Sequence, residues 1–362
     1  MRFAPSPSSL PRRARSGHAA ALLGVLSLIV PALSLAAGPA SAAAVTLTVA
    51  KSGGEYTSVQ AAVNAVPSNS STSYTIQIGP GTYEETLTIP AAKLHLTLRG
   101  ATGNAANVVI DSARYSGEAN PAGGTYGTEG SATVHVAASN FTADYITFSN
   151  SFSRAAHPGV TGTQAVAIAM EGDRQIYEHD VFYGHQDTLL TWGSTAAKSL
   201  RQYIYASAIE GDVDYIFGNG SLVVDRSSIV ALNDGFSTEA FLTAPATYST
   251  DKFGILITGS TVTTTLGANL LYLGRAWEPY SNAAPQLVIR TTSLPSQVNT
   301  TNPYLGISGA TWTKGRYFEY ANTGSGANPN NANRPQLTAS QAASYTAQTY
   351  LAGSDGWDPV AS

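Results

Sequence analysis

The sequence predicts an all-β fold, a single-stranded right-handed parallel β-helix closed at its ends by short capping helices. Three observations lead there. Short runs rich in Val, Ile, Thr, Tyr and Phe recur along the chain, separated by Gly, Asn, Ser and Asp, and each is too short to stand alone. Their intervals run from roughly twenty residues to the mid-thirties, the range of solenoid coils with variable loop insertions. Two-residue hairpin turns, which a sandwich or barrel requires, are scarce; Asn219-Gly220 and Asp234-Gly235 are the candidates.

From the N-terminus, Arg2, Arg12, Arg13 and Arg15 precede an apolar stretch from Ala19 to Ala37 and then Ala40-Ser41-Ala42. That order reads as a secretory signal peptide over residues 1–42, cut after Ala42, and hence as a secreted, extracellular protein. Pro31 and the small residues that follow disfavour a membrane anchor, so no membrane association is expected after cleavage. Residues 43–362 then form one β-helix domain. Tyr56 to Val66 places Val59, Ala62, Val63 and Val66 on one helical face, suited to closing the first coil.

The strand runs follow: Tyr74–Ile78, Leu94–Leu98, Val108–Ile110, Phe141–Phe148, Ile176–Phe182, Tyr203–Ile209, Leu222–Val230 and Gly254–Val262. They share a loose pattern, visible in Ala143-Asp144-Tyr145-Ile146, Glu178-His179-Asp180-Val181-Phe182, Ala206-Ser207-Ala208-Ile209 and Asp225-Arg226-Ser227-Ser228-Ile229: an aromatic or aliphatic pair, a small or acidic residue, then another apolar residue. Ala321 to Arg334, rich in Gly, Asn and Pro, is an extended loop. Thr338-Ala339-Ser340-Gln341 is a capping box opening a helix toward Tyr350.

Charge and composition exclude several classes. The chain carries 19 basic and 23 acidic residues; residues 1–42 hold four of the basic ones and none of the acidic, so the mature net charge falls from −4 to −8. Nucleic-acid binding is therefore not expected. With no cysteine there is no disulfide scaffold, thiol nucleophile or thiolate metal site. His95, His135, His157 and His179 show no ligand spacing and no Gly-x-Ser-x-Gly elbow occurs, so neither a metal, a cofactor nor a serine nucleophile is expected.

The chemistry concentrates in two runs, Gly184-His185-Gln186-Asp187-Thr188-Leu189 and Asp214-Tyr215-Ile216-Phe217-Gly218-Asn219, whose aspartates lie 27 residues apart. A carboxylate among Tyr, Ile and Phe is costly to ionise without a partner. Stacked coils bring equivalent positions to about 4.8 Å. Two carboxyls that close separate in pKa, and one can act as nucleophile while the other serves as general acid and base.

Those runs, with Gly81-Thr82-Tyr83-Glu84-Glu85, Gln164-Ala165-Val166-Ala167, Leu273-Gly274-Arg275-Ala276-Trp277, Glu319-Tyr320-Ala321-Asn322-Thr323-Gly324 and Trp357, stand in the order seen in pectin methylesterases. The resemblance covers nearly the whole mature chain. It implies a monomeric esterase acting on methyl-esterified pectin (homogalacturonan), with Asp214 as nucleophile and Asp187 as acid and then base. It further implies that Gln164 and Gln186 donate to the oxyanion, that Arg275 holds Asp214 ionised, and that Trp277 stacks on a sugar. Tyr215 and Phe217 either pack or line the cleft and join Trp277 as substrate-binding candidates. His185 stands where the family often has an aromatic residue, which suggests an added titration near neutrality. The interval between the aspartates is longer than usual, and Trp192-Gly193-Ser194-Thr195 belongs to the added loop.

Overall fold

The computed structural model describes residues 44–195, 200–233 and 235–361; the expected signal peptide lies outside them. Strands of five residues or so cannot bury enough surface alone, and here they stack in register as three long parallel sheets of ten, seven and seven strands. The ten-stranded sheet runs from Val45–Val49 to Arg316–Tyr320, and one seven-stranded sheet from Gly81–Glu84 to Thr261–Thr264. The other, which carries the candidate site, runs through Leu87–Ile89, Val134–Val136, Ile168–Met170, Leu189–Thr191, Val213–Gly218, Ala240–Pro245 and Leu271–Tyr272. The chain is a parallel β-helix. Coil steps range from 20 residues, where Tyr203 pairs with Val223, to 47, where Leu87 pairs with Val134.

Five of the predicted runs turn out to be two strands joined at a corner. Phe141–Phe148, for example, resolves into Thr142–Asp144 and Thr147–Asn150. At each corner one residue takes positive φ: Tyr145, His179, Ala206, Arg226 and Gly259. The next residue builds a ladder from coil to coil, and from the second of these corners onward it is polar. Ile146 N–H donates to Asp180 Oδ1 at 2.8 Å, Asp180 N–H to Ser207 Oγ at 3.0 Å, Ser207 N–H to Ser227 Oγ at 3.2 Å and Ser227 N–H to Ser260 Oγ at 3.1 Å. Thr292 and Asn322 continue the series. This is the physical content of the loose pattern in the sequence: buried corner N–H groups need acceptors, and short polar side chains supply them.

Asp180 is the one carboxyl in that ladder. Burial pushes its pKa well above the usual carboxylate range; the Ile146 N–H opposes this, and the Asp144 and Glu178 charges add to it. The folded state thus holds this proton more tightly than the unfolded chain, so stability is highest below about pH 4 for this group and drains as pH rises through the folded value. Asn322 shows that an amide fits the same position. Asp180→Asn is expected to flatten the fall in melting temperature with rising pH, and an unchanged slope across the acid to neutral range would remove Asp180 as its source.

The interior is filled by inward-facing Ile, Leu, Val and Phe, with Phe148 and Phe182 stacked on successive coils at 5.7 Å. The N-terminal helix is Val59–Ala65, shorter than expected because Ser58 caps it and Tyr56 bridges to Val49. Its first N–H groups donate to Glu85 at 2.7 and 3.0 Å, which explains the acidic end of Gly81-Thr82-Tyr83-Glu84-Glu85. The C-terminal helix expected from Thr338 to Tyr350 is instead two, Ala339–Ala342 and Ala347–Leu351. A second capping box at Thr346 restarts the helix, and Arg290 takes up the Ala342 and Tyr345 carbonyls. These helices cover Tyr203, Val223, Leu256 and Val288 on the outer face of the ten-stranded sheet. Residues 321–334 form an extended loop as expected, anchored by buried Arg334 on Glu319.

Candidate active site

Coil register brings the two aspartates together. Leu189 pairs with Ile216 and Leu190 with Phe217, and the same step of 27, carried two residues back, sets Asp187 beside Asp214. The Asp187 N–H donates to the Val213 carbonyl at 3.0 Å. Both aspartates adopt left-handed backbone, with φ of 66° and 51°, a conformation that costs about 1–2 kcal/mol for a residue bearing Cβ. Such strain recurs where the surroundings hold a side chain to a task.

A β-bulge adds to the aim. Val213 faces Phe241 but Ile216 faces Thr243, so the register slips by one across Asp214 and Tyr215. Consecutive Tyr215 and Ile216 consequently both enter the interior, while Phe217 faces outward. This corrects the reading of Tyr215 as substrate-binding: it is fully buried in the core, away from the cleft. Gly218 closes the bulged strand at φ 119°, where a Cβ would lie 1.9 Å from the Thr191 carbonyl oxygen.

Arg275, on the short strand Gly274–Ala276, donates from Nε to Asp214 Oδ1 at 2.9 Å and from Nη2 to Oδ2. Its guanidinium lies over the Phe241 ring at 4.0 Å, so an aromatic face and a carboxylate fix it from two sides. Gln164, Gln186, Asp187, Asp214, Arg275, Phe217 and Trp277 line one cleft of about 230 Å³, completed by Thr128, Ala244 and Ile307. Thr163 Oγ1 donates to Gln186 Oε1 at 3.0 Å, which orients that amide. His185 does not line the cleft; its Nδ1 stands 3.6 Å from Asp212 Oδ2.

Asp187 and Asp214 are only 8% and 6% exposed. Burial and then the Asp214 charge push the Asp187 carboxyl well above the usual range, against the opposing pull of Arg275 and Arg154. Burial raises Asp214 too, but its two hydrogen bonds to Arg275 and that cation's charge draw it back. The more ionisable carboxylate is therefore Asp214, and the better proton store is Asp187.

A sequence profile of the Pectinesterase family matches residues 46–354, nearly all of the described chain. The chain belongs to the pectinesterase family. It is a carboxylic ester hydrolase, similar to Pectinesterase A of Dickeya dadantii, with 31% identity over 92% of this chain and 97% of that protein. It is also similar to a pectinesterase of Ralstonia solanacearum, at 32% identity over 75% of this chain and 77% of the other. Among solved structures, the pectin methylesterase of Erwinia chrysanthemi superposes with a TM-score of 0.74 at 29% identity, over 86% of this chain and 98% of its own. A pectin methylesterase bound to a hexasaccharide matches with the same TM-score at 30% identity, over 86% of this chain and 98% of that one.

On this pectinesterase scaffold the sequence left several contributors unseen. Trp192, assigned only to an added loop, stacks on Trp277 at 5.7 Å, and Asn219 grips the adjacent Gly193 by two hydrogen bonds of 2.7 and 2.9 Å. Phe241, Thr163 and Thr128 gave no signal, because each sits in an ordinary run and acts only through contacts formed in space. Asp212 did leave one: it lies 27 residues after His185, the spacing of the aspartates themselves.

Proposed function

We propose that this protein hydrolyses the methyl esters of homogalacturonan, releasing methanol and free galacturonate carboxylates, through an acyl-enzyme on Asp214. The observation that carries the proposal is the pairing of an Arg275-held carboxylate with a buried, proton-retaining one in the same cleft. Asp214 attacks the ester carbonyl carbon. The developing oxyanion is met by the side-chain N–H groups of Gln164 and Gln186, each such donor being worth about 10²- to 10³-fold in rate. As the tetrahedral intermediate collapses, Asp187 gives its proton to the methoxy oxygen and methanol leaves. Asp187, now a carboxylate, takes a proton from water, whose oxygen attacks the galacturonyl carbon; Asp214 departs as carboxylate and Asp187 is left protonated.

The apolar floor of Phe217, Ala244 and Ile307 beside the Trp277 indole suits the faces of sugar rings, while the polar groups converge on the ester. The solved relative that holds a hexasaccharide supports a carbohydrate chain as the occupant. Export is the second part of the proposal: residues 1–42 are a signal peptide and residues 43–362 are the secreted enzyme. Mass spectrometry of protein from culture medium should give Ala43 as the first residue. Among the described residues no helix is long and apolar enough to cross a membrane.

Methanol release from highly methylated pectin, without ultraviolet-absorbing unsaturated product, is the direct test; unsaturated product would mean elimination rather than ester hydrolysis. Arg275→Gln probes the electrostatics. Asp214 must be ionised to attack and Arg275 lowers its proton affinity, so the acid limb of the kcat profile is expected to move to higher pH. An unmoved limb would mean that another group sets it.

A further inference from the structure

The register that sets Asp187 beside Asp214 also sets His185 beside Asp212, two residues earlier on each coil. Asp212 is tied in on every side. Its N–H donates to the His185 carbonyl at 3.1 Å, and its Oδ1 accepts the Val213 N–H at 2.6 Å. Val213 in turn accepts from the Asp187 N–H. Asp212 Oδ2 forms an ion pair with Arg154 Nη2, with both side chains almost fully buried, and His185 Nδ1 lies 3.6 Å from the same oxygen. Arg154 comes from the irregular segment that continues to Gln164, and the next residue, Ala165, donates its N–H to the Gln186 carbonyl at 3.1 Å. Phe236 covers the guanidinium at 4.2 Å.

One buried cation therefore joins the segments bearing Gln164, the Gln186-Asp187 turn and Asp214, although none of Arg154, Asp212 and His185 lines the cleft. We propose that Arg154, Asp212 and His185 form a positioning node that fixes both aspartates and the Gln164 segment relative to one another. The left-handed conformations at Asp187 and Asp214 need such support, because residues with a Cβ leave that region readily unless neighbours hold them. His185, whose Nδ1 faces the same carboxylate oxygen, fits as the polar neighbour of this pair. The inference rests on the function proposed above.

Breaking a buried ion pair on one side leaves an uncompensated charge, whereas neutralising both sides is tolerated far better. That separates positioning from stability. Arg154→Met and Asp212→Asn should each lower the melting temperature, and the double variant should recover most of the loss, since the asparagine amide oxygen still accepts the Val213 N–H. The double variant is nevertheless expected to keep a kcat lowered about 10²-fold with KM within about two-fold, because geometry rather than folding is lost. Amide hydrogen exchange in peptides covering 185–189 and 212–216 should be faster in the double variant than in wild type. A double variant that regains both stability and wild-type kcat, or unchanged exchange in those peptides, would overturn the node. If wild type releases no methanol, the proposed function alone fails, and the exchange comparison then decides the node. Should Arg154→Met not fold by itself, the double variant carries the same decision.

Discussion

Asp214→Asn is expected to lower kcat for methanol release on the order of 10⁴- to 10⁶-fold, the usual consequence of removing a nucleophile, with KM little changed. Asn keeps the shape of Asp and can accept one hydrogen bond from Arg275, so the fold should survive. What it lacks is an anionic oxygen to attack the ester. Asp187→Asn should also be severely impaired but for a different reason: without a proton donor, methoxide is a poor leaving group. The two variants therefore separate on substrates with better leaving groups. Replacing methyl by an activated aryl ester should restore acylation in Asp187→Asn and not in Asp214→Asn. Equal losses on both esters would mean that the roles are not divided as the electrostatics indicate.

The largest expected effect on stability lies outside the cleft lining. Arg334→Met should destabilise the protein by about 3–5 kcal/mol, the cost of leaving a buried carboxylate without its cation. Glu319 takes Nε of Arg334 at 2.7 Å and Nη2 at 2.6 Å, and it also accepts from Tyr304 at 2.9 Å and Asn322 at 2.9 Å. Arg334 Nη1 holds the Gly326 carbonyl. This network pins the long loop after the last strand of the ten-stranded sheet, where the solenoid would otherwise end open. Adding Glu319→Gln should recover most of the loss, since the remaining donors still find an oxygen. Denaturant unfolding of the single and double variants measures both quantities; a single variant within about 1 kcal/mol of wild type would mean that Glu319 finds another partner or water.

The solenoid was legible in the sequence because each coil repeats the same physical demand. Apolar residues fill the interior and a short polar residue follows most corners, so the runs around Asp144, His179, Ala206 and Arg226 resemble one another. Corners themselves were not legible: positive φ at Tyr145 or Arg226 is imposed by stacking against neighbouring coils, and neither residue type announces it. The same holds for Tyr215. Alternation along a strand would place it with Phe217, and only the bulge at Asp214 sends the two apart. The aspartates were readable as a pair because the coil step turns a separation in sequence into adjacency, whereas the glutamines, Arg275 and Trp277 came only with the resemblance to pectin methylesterases. Trp192 and Arg154 were not readable, since their roles depend on loops whose paths no periodicity fixes, and Phe241 was not, since it meets Arg275 only across neighbouring strands.

Covalent attachment at Asp214 is what the proposed chemistry requires above all. Wild-type protein turning over methyl-esterified oligogalacturonide in the presence of hydroxylamine should yield galacturonyl hydroxamate alongside methanol, and Asp214→Asn should yield neither. Methanol release at full rate with no hydroxamate, and with all oxygen exchange accounted for by direct attack of water, would contradict an acyl-enzyme and make Asp214 a base instead.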